Sequence, residues 1–295
     1  MAKFSDITGR YLYLDVDGTE YRVYVEQAGS GIPLVCQHTA GSDGRQYRHL
    51  LEDPDVTSRF QVVAVDLPYH GKSLPPESER YWEKEYKLTK DFFMKFWVRV
   101  CEELELHQPI YMGCSMGGHL AGDLALNYAD HFRACIGLEA SCWSGDIDRL
   151  VDEWWHHPRL SNESKPAAMM SLCSPFAPEE RVRETIWMYS QGAPVVFVGD
   201  LNYYGKEHDL RETAQNIDTS KCMLYVLSAD YDWSAYPEAC QELANKVPGA
   251  KYTLMEGMGH FPMSEDPVKF KQYIMPVLNE IEALSDDAVQ AASAG

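Results

Sequence analysis

Several things are missing from this 295-residue chain, and each absence removes a class of function. No cysteines are paired as C-x-x-C. All eight stand singly, at 36, 101, 114, 135, 142, 173, 222 and 240, mostly in apolar stretches, so they read as reduced core thiols rather than as a disulfide scaffold or a metal site. No G-x-x-x-x-G-K phosphate loop and no dinucleotide fingerprint occurs, so neither a nucleotide nor any other cofactor is expected. Positive charge is short: 26 Lys and Arg stand against 45 Asp and Glu, a formal net charge of -19. That balance argues against nucleic acid or an anionic membrane as partner, since both recruit clustered cations. Nowhere do eighteen apolar residues run together, and no early segment joins a basic start to an apolar run and a small-residue cleavage site; a soluble, cytoplasmic protein is expected. No internal repeat is visible. Oligomeric state is left open, a homodimer included.

What is present is an alternation of strand and helix signals. Arg10 to Val16 and Tyr21 to Gln27 alternate apolar and polar residues about Asp17-Gly18, the mark of a β-hairpin. Pro33 to Cys36, Phe60 to Val65, Ile110 to Met112 and Ala134 to Glu139 are apolar without alternation, which suits strands covered on both faces. Between them lie a short helix near Gln46 to Leu51 and a longer one from Thr89 to about Leu106, with Thr89 as N-cap and Phe92, Phe93, Phe96, Trp97, Val100 and Leu104 at helical spacing. This order predicts an α/β protein with a mostly parallel sheet and helices on both faces.

The rhythm breaks at Ser141. From there to about Tyr204 the chain is rich in tryptophan and proline, and only Val195 to Val198 looks strand-like, which predicts a mostly helical insertion. Alternation resumes with a strand from Cys222 to Leu227, a helix from Tyr236 to Lys246, a strand from Lys251 to Met255 and an amphipathic helix from about Asp266 to Leu284. The stretch 286–295 is small and polar and reads as a frayed tail.

One turn organises the rest. Gly113-Cys114-Ser115-Met116-Gly117 has the form G-x-S-x-G between a strand and a helix, with glycine two residues either side of a serine held out on a point. A serine hydroxyl becomes a nucleophile only when a base takes its proton, and that base is usually a histidine oriented by a carboxylate. Among ten histidines His260 is the candidate, because it stands on the glycine-bearing loop Glu256 to Pro262 directly after a buried strand. The carboxylate is sought in Leu227-Ser228-Ala229-Asp230-Tyr231-Asp232-Trp233, which offers Asp230 and Asp232.

With these residues in hand the chain resembles the α/β-hydrolase superfamily, in its capped esterase and C-C hydrolase branch, from about Tyr11 to Leu284. His38-Thr39-Ala40-Gly41 is similar to the family's H-G-x-x oxyanion loop, Asp66 to Ser73 to its D-x-x-G-x-G-x-S turn, Gly113 to Gly117 to its nucleophile elbow and Gly259-His260-Phe261-Pro262 to its G-H-x-P ending. The resemblance implies the chain order serine, acid, histidine, obeyed by Ser115, Asp232 and His260, with Asp230 as the fallback whose alternative role is to cap its loop. It also implies oxyanion donors at the backbone N-H groups of Ala40 and Met116. Thr39, standing where the family has glycine, could add its hydroxyl, and His70, also at a glycine position, reads as a rim or loop-bracing residue.

By the same resemblance, 1–140 and 205–285 form a hydrolase core and 141–204 a helical cap over the substrate. Thr39, Trp143, Trp154, Trp187, Trp233 and Phe261 are the candidate pocket residues. The expected reaction is hydrolysis of a carboxylic ester of a hydrophobic or aromatic small molecule through an acyl-enzyme. The alternatives are C-C bond hydrolysis of a β-diketone or vinylogous acid with the same residues, perhydrolysis on the same triad, and, in another class, a non-turnover small-molecule receptor. Dehalogenase and epoxide hydrolase chemistry is disfavoured because those relatives carry aspartate where Ser115 stands. His156 and His157 read as packing residues rather than ligands, and His119 as a packed histidine behind the serine.

Overall fold

Asp17 and Gly18 both take positive φ, 52° and 82°, so the chain reverses in two residues between β1 (Thr8–Val16) and β2 (Thr19–Ala28). The computed structural model describes residues 2–145 and 164–293, and the side chains of the last helix as far as Leu284. The continuous apolar runs form β3 (Ile32–Gln37), β4 (Phe60–Val65), β5 (Ile110–Cys114), β6 (Ala134–Leu138) and β7 (Met223–Ala229), and the more exposed Lys251–Met255 forms β8. They build one eight-stranded sheet in the order β1-β2-β4-β3-β5-β6-β7-β8. β2 runs antiparallel to both β1 and β4, and every other pairing is parallel.

The middle strands, β4, β3, β5, β6 and β7, are buried on both sides because their side chains alternate between two packed layers. Val35, Val63, Val65 and Tyr111 enter a layer with Phe93, Phe96 and Trp97 of α1 (Lys90–Glu103) and with Leu120 and Leu124 of α2 (Met116–Asn127). Their strand neighbours Leu34, Cys36, Val62, Ala64, Ile110 and Met112 enter the opposite layer, against Phe270, Ile274 and Leu278. Thr89 caps α1, its Oγ1 accepting from Phe92 N at 3.3 Å.

Between β6 and β7 the chain forms α3 (Ser164–Met170), α4 (Glu179–Ser190), α5 (Val196–Asn202) and a π-helical turn over Tyr203–Glu207. The apolar run at 195–198, strand-like by composition, opens α5 instead. A short apolar run fits a buried helix as well as a strand, and here Gly199 decides: a Cβ there would meet Tyr86 at 2.1 Å, so the helix backbone lies directly on that segment, with Leu88 N donating to Gly199 O at 2.9 Å. Trp154, Trp155, His156 and His157 lie outside the described residues.

The chain closes with α6 (Pro237–Lys246), the short α7 (Pro262–Glu265) and α8 (Pro267–Ser293). α8 runs past Leu284 as far as Ser293. No described helix is long and apolar enough to cross a membrane.

Candidate active site

β5 delivers Ser115 and the geometry of the turn explains its glycines. Ser115 sits at φ 57°, ψ -116°, a conformation L-residues avoid, with its N-H donating to Leu138 O of β6 at 2.9 Å. A Cβ at Gly113 would meet Gly117 O at 2.3 Å, and one at Gly118 would meet Leu138 O at 2.1 Å, so strand, turn and helix approach too closely for side chains. The hydroxyl stands at the amino end of α2, where the peptide dipoles favour negative charge. Cys114, beside it, is fully buried and donates its thiol to His260 O at 3.1 Å, in keeping with a core thiol.

The acid and the histidine come from the ends of β7 and β8. His260 Nδ1 lies 2.5 Å from Asp232 Oδ2, while Asp232 Oδ1 accepts from Ser234 N at 2.8 Å and from Ser234 Oγ at 2.7 Å. Burial works against charge on Asp232, but the imidazole and these donors outweigh it and hold the carboxyl below its ordinary range. Asp230 is turned elsewhere: its Oδ1 accepts from Gly257 N at 2.6 Å and caps the loop. Ser115 Oγ makes no hydrogen bond to the His260 ring, and neither it nor His260 Nε2 has a partner among the described residues. Catalytic hydrogen bonds are commonly long before substrate enters.

Across the turn lies the loop after β3. Ala40 N-H and Met116 N-H are buried and have no hydrogen-bond partner among the described residues, which is unusual for backbone donors inside a protein. The loop carrying Ala40 is fixed on both sides: Thr39 N donates to Gln46 Oε1 at 2.9 Å and Gly41 N to Asp200 Oδ2 at 2.7 Å. The Thr39 hydroxyl is spent on Gln46 and Tyr189, so it is not free to serve as a third donor, because its one proton goes to the Gln46 carbonyl. His38 donates Nδ1-H to Thr39 O at 2.8 Å and accepts from Leu67 N at Nε2; burial and the neighbouring His70 push it down to about 4, so it stays neutral.

His70 is no rim residue. It is buried, and its Nε2 lies 2.8 Å from Asp200 Oδ2; burial alone would lower its pKa, but the carboxylate raises it. His119 is buried behind the serine, Nδ1 2.7 Å from Ser115 O, and burial with the nearby His208 lowers it to about 3. Thr39 and Phe261 are buried, the Phe261 ring 4.9 Å from that of His260. The tryptophans behave differently. Trp187 is 65% exposed, on the face of α4 opposite the buried Thr185, Met188 and Tyr189, so the helix turns Tyr189 inward in its place. Trp143 and Trp233 are 39% and 55% exposed, the first under the Arg211 guanidinium and the second donating Nε1-H to Ser171 O; Trp154 lies outside the described residues.

Two acids near the histidine went unnoticed in the sequence. Glu265 accepts from the backbone N-H groups of Gly259, Ser174 and Phe261; burial pushes its carboxyl up to about 7, against those donors. Glu139, just past β6, is fully buried, its Oε2 accepting from Ala229 N at 3.1 Å. Glu139 directly follows the apolar strand β6, and that position was its available signal; Glu265 closes the short helix α7, where no local pattern marks it. Among the described residues, no group of three or more His, Cys, Asp or Glu side chains is gathered to hold a metal ion.

A family model described as alpha/beta hydrolase fold matches residues 32–267. The chain is 21% identical over 259 residues to a pimeloyl-(acyl-carrier protein) methyl ester esterase of Vibrio vulnificus (strain YJ016), covering 82% of this chain and 92% of the relative. Its fold is similar to that of a thermophilic esterase from Thermogutta terrifontis, with TM-score 0.78, 19% identity and coverage of 92% of this chain and 99% of the other. It is also similar to an enol-lactonase from Burkholderia xenovorans LB400, with TM-score 0.75, 18% identity and coverage of 91% and 100%. With a family match that spans most of its length and the sheet order described above, this chain belongs to the α/β hydrolase fold family.

Proposed function

We propose that the protein is a serine hydrolase that cleaves a carboxylic ester of a hydrophobic or aromatic small molecule, with Ser115 as nucleophile, His260 as general base and acid, and Asp232 as the carboxylate that orients the imidazole. The observation that carries this reading is the 2.5 Å contact between His260 Nδ1 and Asp232 Oδ2 on a loop bonded to the residue before Ser115. Nδ1 is thereby occupied, which leaves Nε2 as the base. Ser115 Oγ attacks the ester carbonyl as its proton passes to Nε2, and Asp232 stabilises the imidazolium. The N-H groups of Ala40 and Met116 receive the oxyanion, each worth roughly 3 kcal/mol in the transition state. His260 then protonates the leaving alkoxide, and water, activated by the same imidazole, releases the acid. The buried Phe261 and Tyr189 rings, 5.5 Å apart, support an apolar acyl site. The named relatives act on, or are named for, esters and lactones, which supports the bond type.

The test is an aryl ester with a chromogenic leaving group, followed from the first turnover, together with a fluorophosphonate probe. A burst of leaving group and a single probe adduct on the Ser115 peptide are expected. An adduct without turnover on any ester would point to a receptor, and turnover confined to β-diketones would point to C-C cleavage.

Asp200 ties the segment between β6 and β7 to the oxyanion loop through Gly41 and is itself held by His70 and Tyr86. Asp200→Ala is expected to lower kcat by about 10- to 100-fold with a smaller change in KM, since the loop that positions Ala40 loses its anchor. It should also lower stability by about 2–4 kcal/mol, measurable by thermal melting, because the buried partners lose their acceptor.

A further inference from the structure

We propose that Glu265 is a positioning residue for this reaction: its carboxylate binds the N-H groups on both sides of His260 and ties them to residues 172–174, and so fixes where the imidazole stands. The inference rests on the Ser115-His260-Asp232 reading. Glu265 ends α7, five residues beyond His260, and is fully buried. Its own N-H donates to Phe261 O at 2.8 Å, closing the turn that brings the side chain back over the loop. Oε1 accepts from Gly259 N at 2.5 Å and from Ser174 N at 3.3 Å, and Oε2 accepts from Phe261 N at 3.4 Å. The N-H between them, that of His260, donates to Leu172 O at 2.9 Å. Three successive N-H groups around the histidine are thus held, two by one side chain and the third by the segment that the same side chain grips at Ser174.

Two further contacts join that segment to the site. Ser174 Oγ donates to Gly257 O at 2.9 Å, and Trp233, next to Asp232 in the chain, donates Nε1-H to Ser171 O at 3.0 Å. The approach leaves no room for a side chain at 259, where a Cβ would meet Ser174 N at 2.4 Å and Leu172 O at 2.5 Å. A carboxylate suits the three donors because both of its oxygens only accept, whereas an amide offers one acceptor and one donor. His260 O receives the thiol of Cys114, a weak donor, so the firmer hold on this residue comes through the N-H groups. The imidazole must meet two partners at once, Asp232 at Nδ1 and Ser115 at Nε2. A turn of its peptide planes that swings the ring by about 1 Å therefore weakens proton transfer without changing what binds the substrate.

Glu265→Gln keeps the size of the side chain and turns one acceptor into a donor, which must face either Phe261 N-H or the N-H pair of Gly259 and Ser174. In the folded variant kcat on the chromogenic ester is expected to fall about 10- to 100-fold with KM within about twofold, and fluorophosphonate labelling of Ser115 to slow in parallel. The NMR resonance of the proton between His260 Nδ1 and Asp232 should weaken or move upfield. Thr185→Val is the control for stability alone. It removes the buried bond from Thr185 Oγ1 to Ser264 Oγ on the same short helix, 3.0 Å long, and should lower the melting temperature while leaving kcat and that resonance in place. A glutamine variant that melts lower but keeps wild-type kcat and the resonance overturns the proposal, as does a loss confined to KM. Should the glutamine variant fail to fold, Glu265→Asp, which keeps both acceptors one methylene further back, decides by the same split between kcat and KM. Should wild type neither turn over esters nor take the fluorophosphonate, the hydrolase reading fails by itself; a shift of the His260 resonance in the variant then still supports the role of Glu265, and an unmoved resonance overturns it.

Discussion

Ser115→Ala is expected to reduce ester hydrolysis by about a million-fold and to abolish fluorophosphonate labelling, while leaving the fold intact. The size follows from what a triad does as a unit: without the nucleophile there is no acyl-enzyme, and only the residual acceleration from substrate positioning and the oxyanion donors survives. The fold should survive because Ser115 contributes its backbone to the turn, through the bond to Leu138 O, and its side chain has no hydrogen-bond partner among the described residues. Alanine at φ 57° suffers the same strain as serine. Glycine does not, so Ser115→Gly should be equally inactive yet more stable than Ser115→Ala by about 1 kcal/mol, a difference read by denaturant unfolding. If both variants keep wild-type turnover, the nucleophile is not Ser115.

Asp232→Asn is expected to lower kcat by about 10,000-fold with little change in KM, whereas Asp230→Asn should stay within about threefold of wild type. The asparagine amide at 232 can present an N-H to the imidazole, which turns Nδ1 into the acceptor and moves the ring proton to Nε2, the atom that must take the proton from serine. At 230 an amide oxygen can still accept from Gly257 N, so the loop cap persists. Measuring kcat and KM on one chromogenic ester for both variants separates the two acids; equal losses would deny Asp232 its orienting role.

Local structure is legible in this sequence where a single physical signal suffices. Unbroken apolar runs mean strands covered on both faces, a rule that held from β3 to β7, and Asp17-Gly18 announced the reversal between β1 and β2. Such signals are local. The run at 195–198 misled because four apolar residues fit a buried helix equally well, and the close approach of Gly199 to Tyr86 is not written in either segment alone.

By itself the sequence determined an α/β architecture with a mostly parallel sheet, since periodicity and glycine spacing act over a few residues and survive without knowledge of distant partners; the candidates Ser115, Asp232 and His260 came from the resemblance of their motifs to the family. Only the tertiary structure decided which side chains meet. It turned Asp232 toward His260 and Asp230 toward Gly257, put Tyr189 rather than Trp187 on the inner face of α4, and consumed the Thr39 hydroxyl on Gln46. Each of these depends on the rotation of a packed helix or on the burial of a charge, quantities created when distant segments come together.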